Sequence, residues 1–161
     1  MAASLVIRLT RTSPTHHRFE YRRPDGSGEA IEMETRSFLF HDLLHYAVES
    51  EAHLRGSFYG ILAKVGGYEE LAVAGGMALG GEAAITERVV GALTGALKAG
   101  DADARAFVER GTEFLDIYEE KAPLWLTPAL VLTVKERMRR LEGQWKATPF
   151  GATMELSFPL G

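Results

Sequence analysis

The segment Ala152-Thr-Met-Glu-Leu-Ser-Phe158, close to the end of this 161-residue chain, decides the fold. Its apolar residues alternate with Thr153, Glu155 and Ser157, which predicts a β-strand with one buried face. A lone strand cannot bury four apolar side chains, so this strand must find partners elsewhere in the chain.

The partner strands are predicted within the first 36 residues. Three segments there alternate apolar and polar residues around Ile7, Phe19 and Met33, and residues 24–28 supply a hairpin turn because glycine tolerates a positive φ. We therefore predict that the C-terminal strand pairs beside the first strand and completes a four-stranded antiparallel sheet. The polar face mixes both charges, which predicts cross-strand ion pairs, with a self-association or ligand surface as the alternative. Its charged residues are Arg8, Arg18, Arg22, Glu20, Glu32 and Glu34.

Between the third and fourth strands the sequence has helical periodicity. Ser37 and Thr127 are predicted N-caps, and Pro128 follows the second at the first helical position. The predicted helices cover residues 37–54, a short piece within 56–66, 82–99, 101–121 with Asp101 as its N-cap, and a last helix after Thr127. The sequence thus predicts an α+β fold with a single domain, residues 1–161, in which four to five helices cover the sheet.

A glycine-rich segment interrupts the helices. Residues 66–81 contain three Gly-Gly pairs, but no Gly-Lys-Ser/Thr of a phosphate-binding loop follows them. We predict a flexible loop here, and a loop of this length is a candidate lid or variable binding loop.

Composition excludes several classes of function. The net charge of −4 gives no general attraction to nucleic acid or to an anionic membrane. The chain has no cysteine, which excludes disulfides, thiol catalysis and cysteine-based zinc or iron–sulfur sites. The N-terminal apolar run is too short for a signal peptide, and no stretch approaches the roughly 20 apolar residues of a membrane span. We therefore expect a cytoplasmic protein.

The central helix has an unusual polar face. It lies in Arg36-Ser-Phe-Leu-Phe-His-Asp-Leu-Leu-His-Tyr-Ala-Val-Glu-Ser-Glu-Ala-His53, which contains three of the five histidines. The polar residues fall within an arc of about 120°, and they are His41, His45, Glu49, Asp42 and His53. This face has no Lys or Arg, whereas a solvated helix face normally mixes both signs.

This pattern is compatible with a metal site. His41 and His45 are one turn apart, so both can present a ring nitrogen to one ion, as in His-Glu-x-x-His zinc helices. Glu49 lies about 12 Å along the helix from His41, too far to share that ion, so a mononuclear site needs a third ligand from elsewhere. Alternatively, Asp42 with His45, or Glu49 with His53, could each supply two ligands. Weaker candidates outside the helix are His16, His17, Glu69 and Glu70.

The string His41-Asp-Leu-Leu-His45 is similar to the zinc motif of the Coq-type ubiquinone-biosynthesis scaffold family. That motif is His-Asp-x-x-His followed, after eleven residues, by Glu. The resemblance covers five residues and implies a zinc site on this helix. Ser57 stands where the family has its final Glu. That family is also essentially all-helical, whereas this sequence predicts a mixed fold.

The leading interpretation is a small homo-oligomeric binding or scaffold protein of unknown ligand. Its candidate ligands for a divalent metal (zinc, manganese or iron) are His41, His45, Asp42 and Glu49. The alternative is a metal-dependent hydrolase or lyase in which His41 and His45 hold the ion, and Asp42 or Glu49 orients a ligand or acts on bound water. Without a metal, the same face is a solvated or structural surface, or performs acid–base chemistry.

Overall fold

A computed structural model describes residues 3–64, 66–69, 81–98, 103–116 and 121–161. The strands are β1 (Ser4–Arg11), β2 (His16–Arg22), β3 (Gly28–Glu34) and β4 (Thr153–Pro159). The helices are α1 (Thr35–Glu51), α2 (Phe58–Leu62), α3 (Gly81–Lys98), α4 (Ala104–Asp116) and α5 (Pro128–Lys146). Most of the predicted glycine-rich loop and the predicted Asp101 cap lie outside the described residues.

The four strands form one antiparallel sheet in the order β3-β2-β1-β4. The C-terminal strand β4 pairs beside β1, with Ile7 opposite Leu156, which confirms the predicted return of the chain. Alternate residues of β1 and β4 are buried, and Leu5 and Phe158 are fully buried. The α+β architecture predicted from the alternating segments is therefore confirmed.

The polar face of the sheet carries the expected cross-strand ion pairs. Arg8 lies opposite both Glu20 and Glu155. Its guanidinium contacts Glu20 at 3.5 Å and donates to Glu155 at 2.8 Å. Such exposed pairs contribute at most about 1 kcal/mol each, so this face adds pairing specificity more than stability.

Helix α1 begins at Thr35, and the prediction of Ser37 as its N-cap is wrong. Glu34 is the N-cap residue and makes no side-chain cap, while Ser37 lies in the first turn and its hydroxyl donates to the Glu34 carboxylate. The Thr35 N–H donates to the Thr15 carbonyl at 2.9 Å. Strand β3 therefore runs directly into α1, and a main-chain bond to the β1–β2 turn takes the place of a side-chain cap.

Helix α1 is the central helix of the layer that covers the sheet. It packs against α5 on one side and α3 on the other, and it also contacts β2, β3 and β4. Every residue from Asp42 to Ser50 is buried. The last helix α5 begins as predicted, since Thr127 Oγ1 accepts the Leu130 N–H. Across the described residues, no helix is long and apolar enough to cross a membrane.

Candidate metal centre

Two helices bring together three side chains that could hold a metal ion. His41 and His45 lie one turn apart on α1, and Glu87 reaches them from α3. Glu87 Oε1 lies 3.2 Å from His41 Nε2, and Glu87 Oε2 lies 2.8 Å from His45 Nε2. The three donor groups lie within 4.8 Å of one another. This is the one group of at least three histidines or carboxylates in the described part of the chain that could hold a metal ion.

Hydrogen bonds at the start of α3 set its approach to α1. Glu82 Oε1 accepts the Gly56 N–H at 2.9 Å and the Ser57 hydroxyl at 3.1 Å. Ser57 Oγ also lies 2.9 Å from Thr86 Oγ1, and both hydroxyl side chains are fully buried. The segment after α1 therefore holds the first turn of α3, and Glu87 follows directly in the second turn.

Glu49 lies behind His45, on the side away from Glu87. Its Oε2 lies 2.8 Å from His45 Nδ1, and its Oε1 accepts the Tyr59 N–H at 2.9 Å. The Glu49 side chain is fully buried, and the ring of Phe58 packs 5.7 Å from the His45 ring. Glu49 thus uses both oxygens within the protein and contacts the second nitrogen of His45.

Asp42 is held by a different partner. The Tyr68 hydroxyl donates to its carboxyl group, 2.9 Å from Oδ1 and 2.8 Å from Oδ2. Asp42 Oδ1 lies 4.0 Å from His41 Nδ1, which is too long for a hydrogen bond. Burial raises the pKa of Asp42 to about 6, although the Tyr68 hydrogen bond opposes this. Asp42 therefore belongs to the surroundings of the two histidines without directly binding either one.

The neighbouring carboxylates raise the pKa of His45. Burial alone would lower the pKa of His45, but hydrogen bonds to Glu49 and Glu87 outweigh burial and raise it to about 10. The same contacts, from His41 first and then His45, hold the pKa of Glu87 well below its usual range. Without a metal, the raised pKa of His45 therefore favours its protonated form at neutral pH, hydrogen-bonded to Glu87 and to Glu49, whose own pKa burial raises. A metal ion binding at His45 Nε2 would have to displace a proton.

The three donors differ in their exposure to solvent. The His45 side chain is 4% exposed, whereas that of Glu87 is 28% and that of His41 is 41% exposed. The cluster is therefore closed on the His45 side and open to solvent beside His41.

The structure separates the residues predicted from the α1 pattern. His41 and His45 share the cluster, while Asp42 and Glu49 lie beside it with their own partners. His53 is exposed and adopts φ 57° beyond the end of α1, and the predicted Glu49–His53 pair does not form. The polar face is not a solvated surface, because Asp42, His45 and Glu49 are all buried.

Of the residues proposed from outside the helix, those that the structure describes are not in the cluster. His17 is buried beside Thr35 and Trp145, Glu69 is exposed, and Glu70 lies outside the described residues. The third ligand candidate, Glu87, was not predicted. A signal for it exists, because Glu87 is a carboxylate between Ala83 and Val90 on the buried side of α3. A charge that interrupts an apolar helix face needs a partner across the interface.

Comparisons of this chain with protein-family models, with curated proteins and with solved structures gave no match.

Proposed function

We propose that this protein binds one divalent transition-metal ion through His41 Nε2, His45 Nε2 and the Glu87 carboxylate. The observation that supports this is the convergence of two imidazole nitrogens from α1 on both oxygens of one carboxylate from α3. Ligands at about 2.1 Å from one tetrahedral ion are roughly 3.4 Å apart. The separations of 3.2 and 2.8 Å are close to that value, so small side-chain shifts would admit an ion.

The donor set limits the choice of metal. Two imidazoles and one carboxylate suit zinc, and the same set is used for non-haem iron(II). Manganese also accepts nitrogen and carboxylate ligands. The chain has no cysteine, so the thiolates that select copper(I) are missing.

Binding at this site supports a metal-dependent binding or scaffold function as the leading proposal. A metal that joins His41 and His45 on α1 to Glu87 on α3 would cross-link two helices that are adjacent in space but distant in sequence. Its binding would stabilise the folded protein, and the gain would rise with the logarithm of the metal concentration once that exceeds the dissociation constant.

A metal-dependent hydrolase or lyase is the second candidate, and one observation favours it. Structural zinc sites generally use four protein ligands, whereas catalytic sites use three and leave a position for substrate or water. The described residues supply three donors here, and the cluster is open to solvent beside His41. Asp42 and Glu49 are the predicted acid–base residues, and each has both of its carboxylate oxygens in hydrogen bonds within the protein.

Metal content tests the proposed site directly. Gently purified, untagged protein should contain close to one equivalent of zinc, manganese or iron by inductively coupled plasma mass spectrometry, or take it up on incubation. His45→Ala and Glu87→Gln should lose it. The matched controls His53→Asn and Glu155→Gln remove an exposed histidine and an exposed glutamate and should retain it. A parent protein that takes up none of the three metals would contradict the proposal.

Catalysis is tested on the same set of proteins. Hydrolysis of chromogenic ester or phosphate substrates by the metal-loaded parent, with loss in Glu87→Gln and retention in Glu155→Gln, would favour the hydrolase. Stoichiometric metal without turnover on such substrates would favour the binding or scaffold function.

A further inference from the structure

The histidine that lies deepest in the cluster has both ring nitrogens engaged by carboxylates from different helices. Glu87 of α3 contacts His45 Nε2, and Glu49 of α1 contacts His45 Nδ1, each at 2.8 Å. Glu49 is itself held from a second direction by the Tyr59 N–H. With Phe58 against the ring, His45 cannot rotate without losing these contacts.

We propose that Glu49 is a positioning residue for the metal: by accepting a hydrogen bond from His45 Nδ1–H, it keeps that proton in place when the ion displaces the proton from Nε2, so that Nε2 is the nitrogen that binds. This inference rests on the proposed metal function. An ionised carboxylate only accepts hydrogen bonds, so His45 must carry a proton on Nδ1 when it contacts Glu49. Metal-binding histidines commonly donate their second N–H to a carboxylate, which fixes the tautomer and the ring orientation.

His41 provides an internal comparison. Its Nε2 also points to Glu87, but its Nδ1 lies 4.0 Å from Asp42, whose oxygens are engaged by Tyr68. At Nδ1, a carboxylate is therefore in hydrogen-bond contact with the buried His45 and not with the more exposed His41. His45 is the preorganised ligand, and His41 is the ligand that must adjust when an ion enters.

The substitution Glu49→Gln tests the tautomer specifically. The glutamine side chain has a single oxygen. If that oxygen keeps the hydrogen bond from the Tyr59 N–H, the amide NH2 group faces His45 Nδ1. The amide NH2 group donates a hydrogen bond, so Nδ1 must accept it. The single proton of the neutral imidazole then lies on Nε2, where it blocks the metal. We expect Glu49→Gln to bind Co²⁺, and Zn²⁺ measured by competition, about ten- to hundredfold more weakly.

Asp42→Asn is the matched control. It removes one buried carboxylate from the same helix and can keep its contact with Tyr68, but it leaves the Glu49–His45 bond in place. The Asp42→Asn protein therefore measures the loss of affinity that comes from charge alone. Equal Co²⁺ affinities in Asp42→Asn and Glu49→Gln would overturn the positioning role of Glu49, provided that the parent binds and Glu87→Gln does not.

Nitrogen-15 NMR of the His45 ring provides a second test that does not depend on any variant folding. In the Zn²⁺-loaded parent, Nδ1 should be protonated and Nε2 bound to the metal. Binding through Nδ1 would overturn the inference while leaving metal binding intact. If the parent bound no metal, the proposed function would fail, and this inference with it. A structural role alone would lower the melting temperature of metal-free Glu49→Gln without changing its Co²⁺ affinity.

Discussion

Acid should destabilise this protein through His17. The side chain is fully buried on β2, where Nδ1 lies 3.0 Å from Thr35 Oγ1 and the ring packs edge-on against Trp145. Burial lowers the pKa of His17 from its ordinary value of 6.5 to about 4, and the nearby Glu32 only partly opposes this. Among the described residues, His17 Nε2 has no hydrogen-bond partner, so a proton there would be buried without compensation.

The sign of this pH effect on stability follows from the numbers of protons bound by the folded and the unfolded chain. Between pH 6.5 and 4, the unfolded chain binds a proton at His17 that the folded protein does not bind, so the free energy of unfolding falls as the pH falls. The contribution is complete above pH 6.5 and is lost as the pH falls towards 4. The two pKa values differ by about 2.5, which corresponds to a total loss of roughly 3 kcal/mol, of which about 2.5 kcal/mol is reached at pH 4.5.

Urea unfolding followed by circular dichroism at pH 7.5, 6.0 and 4.5 measures this loss. His17→Phe keeps an aromatic ring beside Trp145 but cannot be protonated, so between pH 7.5 and 4.5 it should lose about 2.5 kcal/mol less than the parent. The control His53→Asn removes an exposed histidine and should follow the parent. Parallel stability curves for the parent and His17→Phe would refute the assignment of this acid sensitivity to His17.

Three further outcomes are expected. Zinc at a hundred times its dissociation constant should stabilise the parent by about 2.7 kcal/mol, or roughly 5–10 °C in melting temperature by differential scanning fluorimetry, with reversal by chelator and no shift in Glu87→Gln. Arg8→Ala should cost under about 2 kcal/mol in chemical unfolding, since both of its ion pairs, with Glu20 and Glu155, are on the solvated face of the sheet; a larger loss would mean that they hold the strand register. Light scattering after size exclusion should give a multiple of the chain mass, and a monomer mass would contradict the predicted homo-oligomer.

The sheet could be predicted from the sequence because the same alternating pattern occurs in each of its strands. Four segments alternate apolar and polar residues, and each must join neighbouring strands in a sheet before the helices can cover its apolar face. Pairing of β4 beside β1 followed from that requirement alone. The start of α1 could not be predicted in the same way. Its first turn is held by a main-chain bond from Thr35 to Thr15, and a bond between backbone groups leaves no residue type in the sequence to identify it.

The candidate site, too, could be predicted from the sequence only in part. The i, i+4 spacing of His41 and His45 is a local property of one helix, so it was visible in the sequence. The contact between His45 and Glu87 joins residues 42 positions apart on different helices. A polar face on one helix has the same pattern whether it meets water or another polar helix. Only the packing of α3 on α1 distinguishes the two, and it places the face inside the protein.

That buried polar interface is the strongest physical argument for a function here. Residues such as Leu44 and Val48 show that α1 can pack through an apolar surface. Replacing buried charged groups by apolar side chains of similar volume is often neutral or stabilising, so stability alone does not explain why Asp42, His45 and Glu49 are buried together. Positions where a sequence departs from simple burial rules are expected at functional sites. Carboxylates contact both ring nitrogens of His45, Glu49 at Nδ1 and Glu87 at Nε2, so a proton on Nε2 lies against the Glu87 carboxylate. A divalent ion at His45 Nε2 would take over that position.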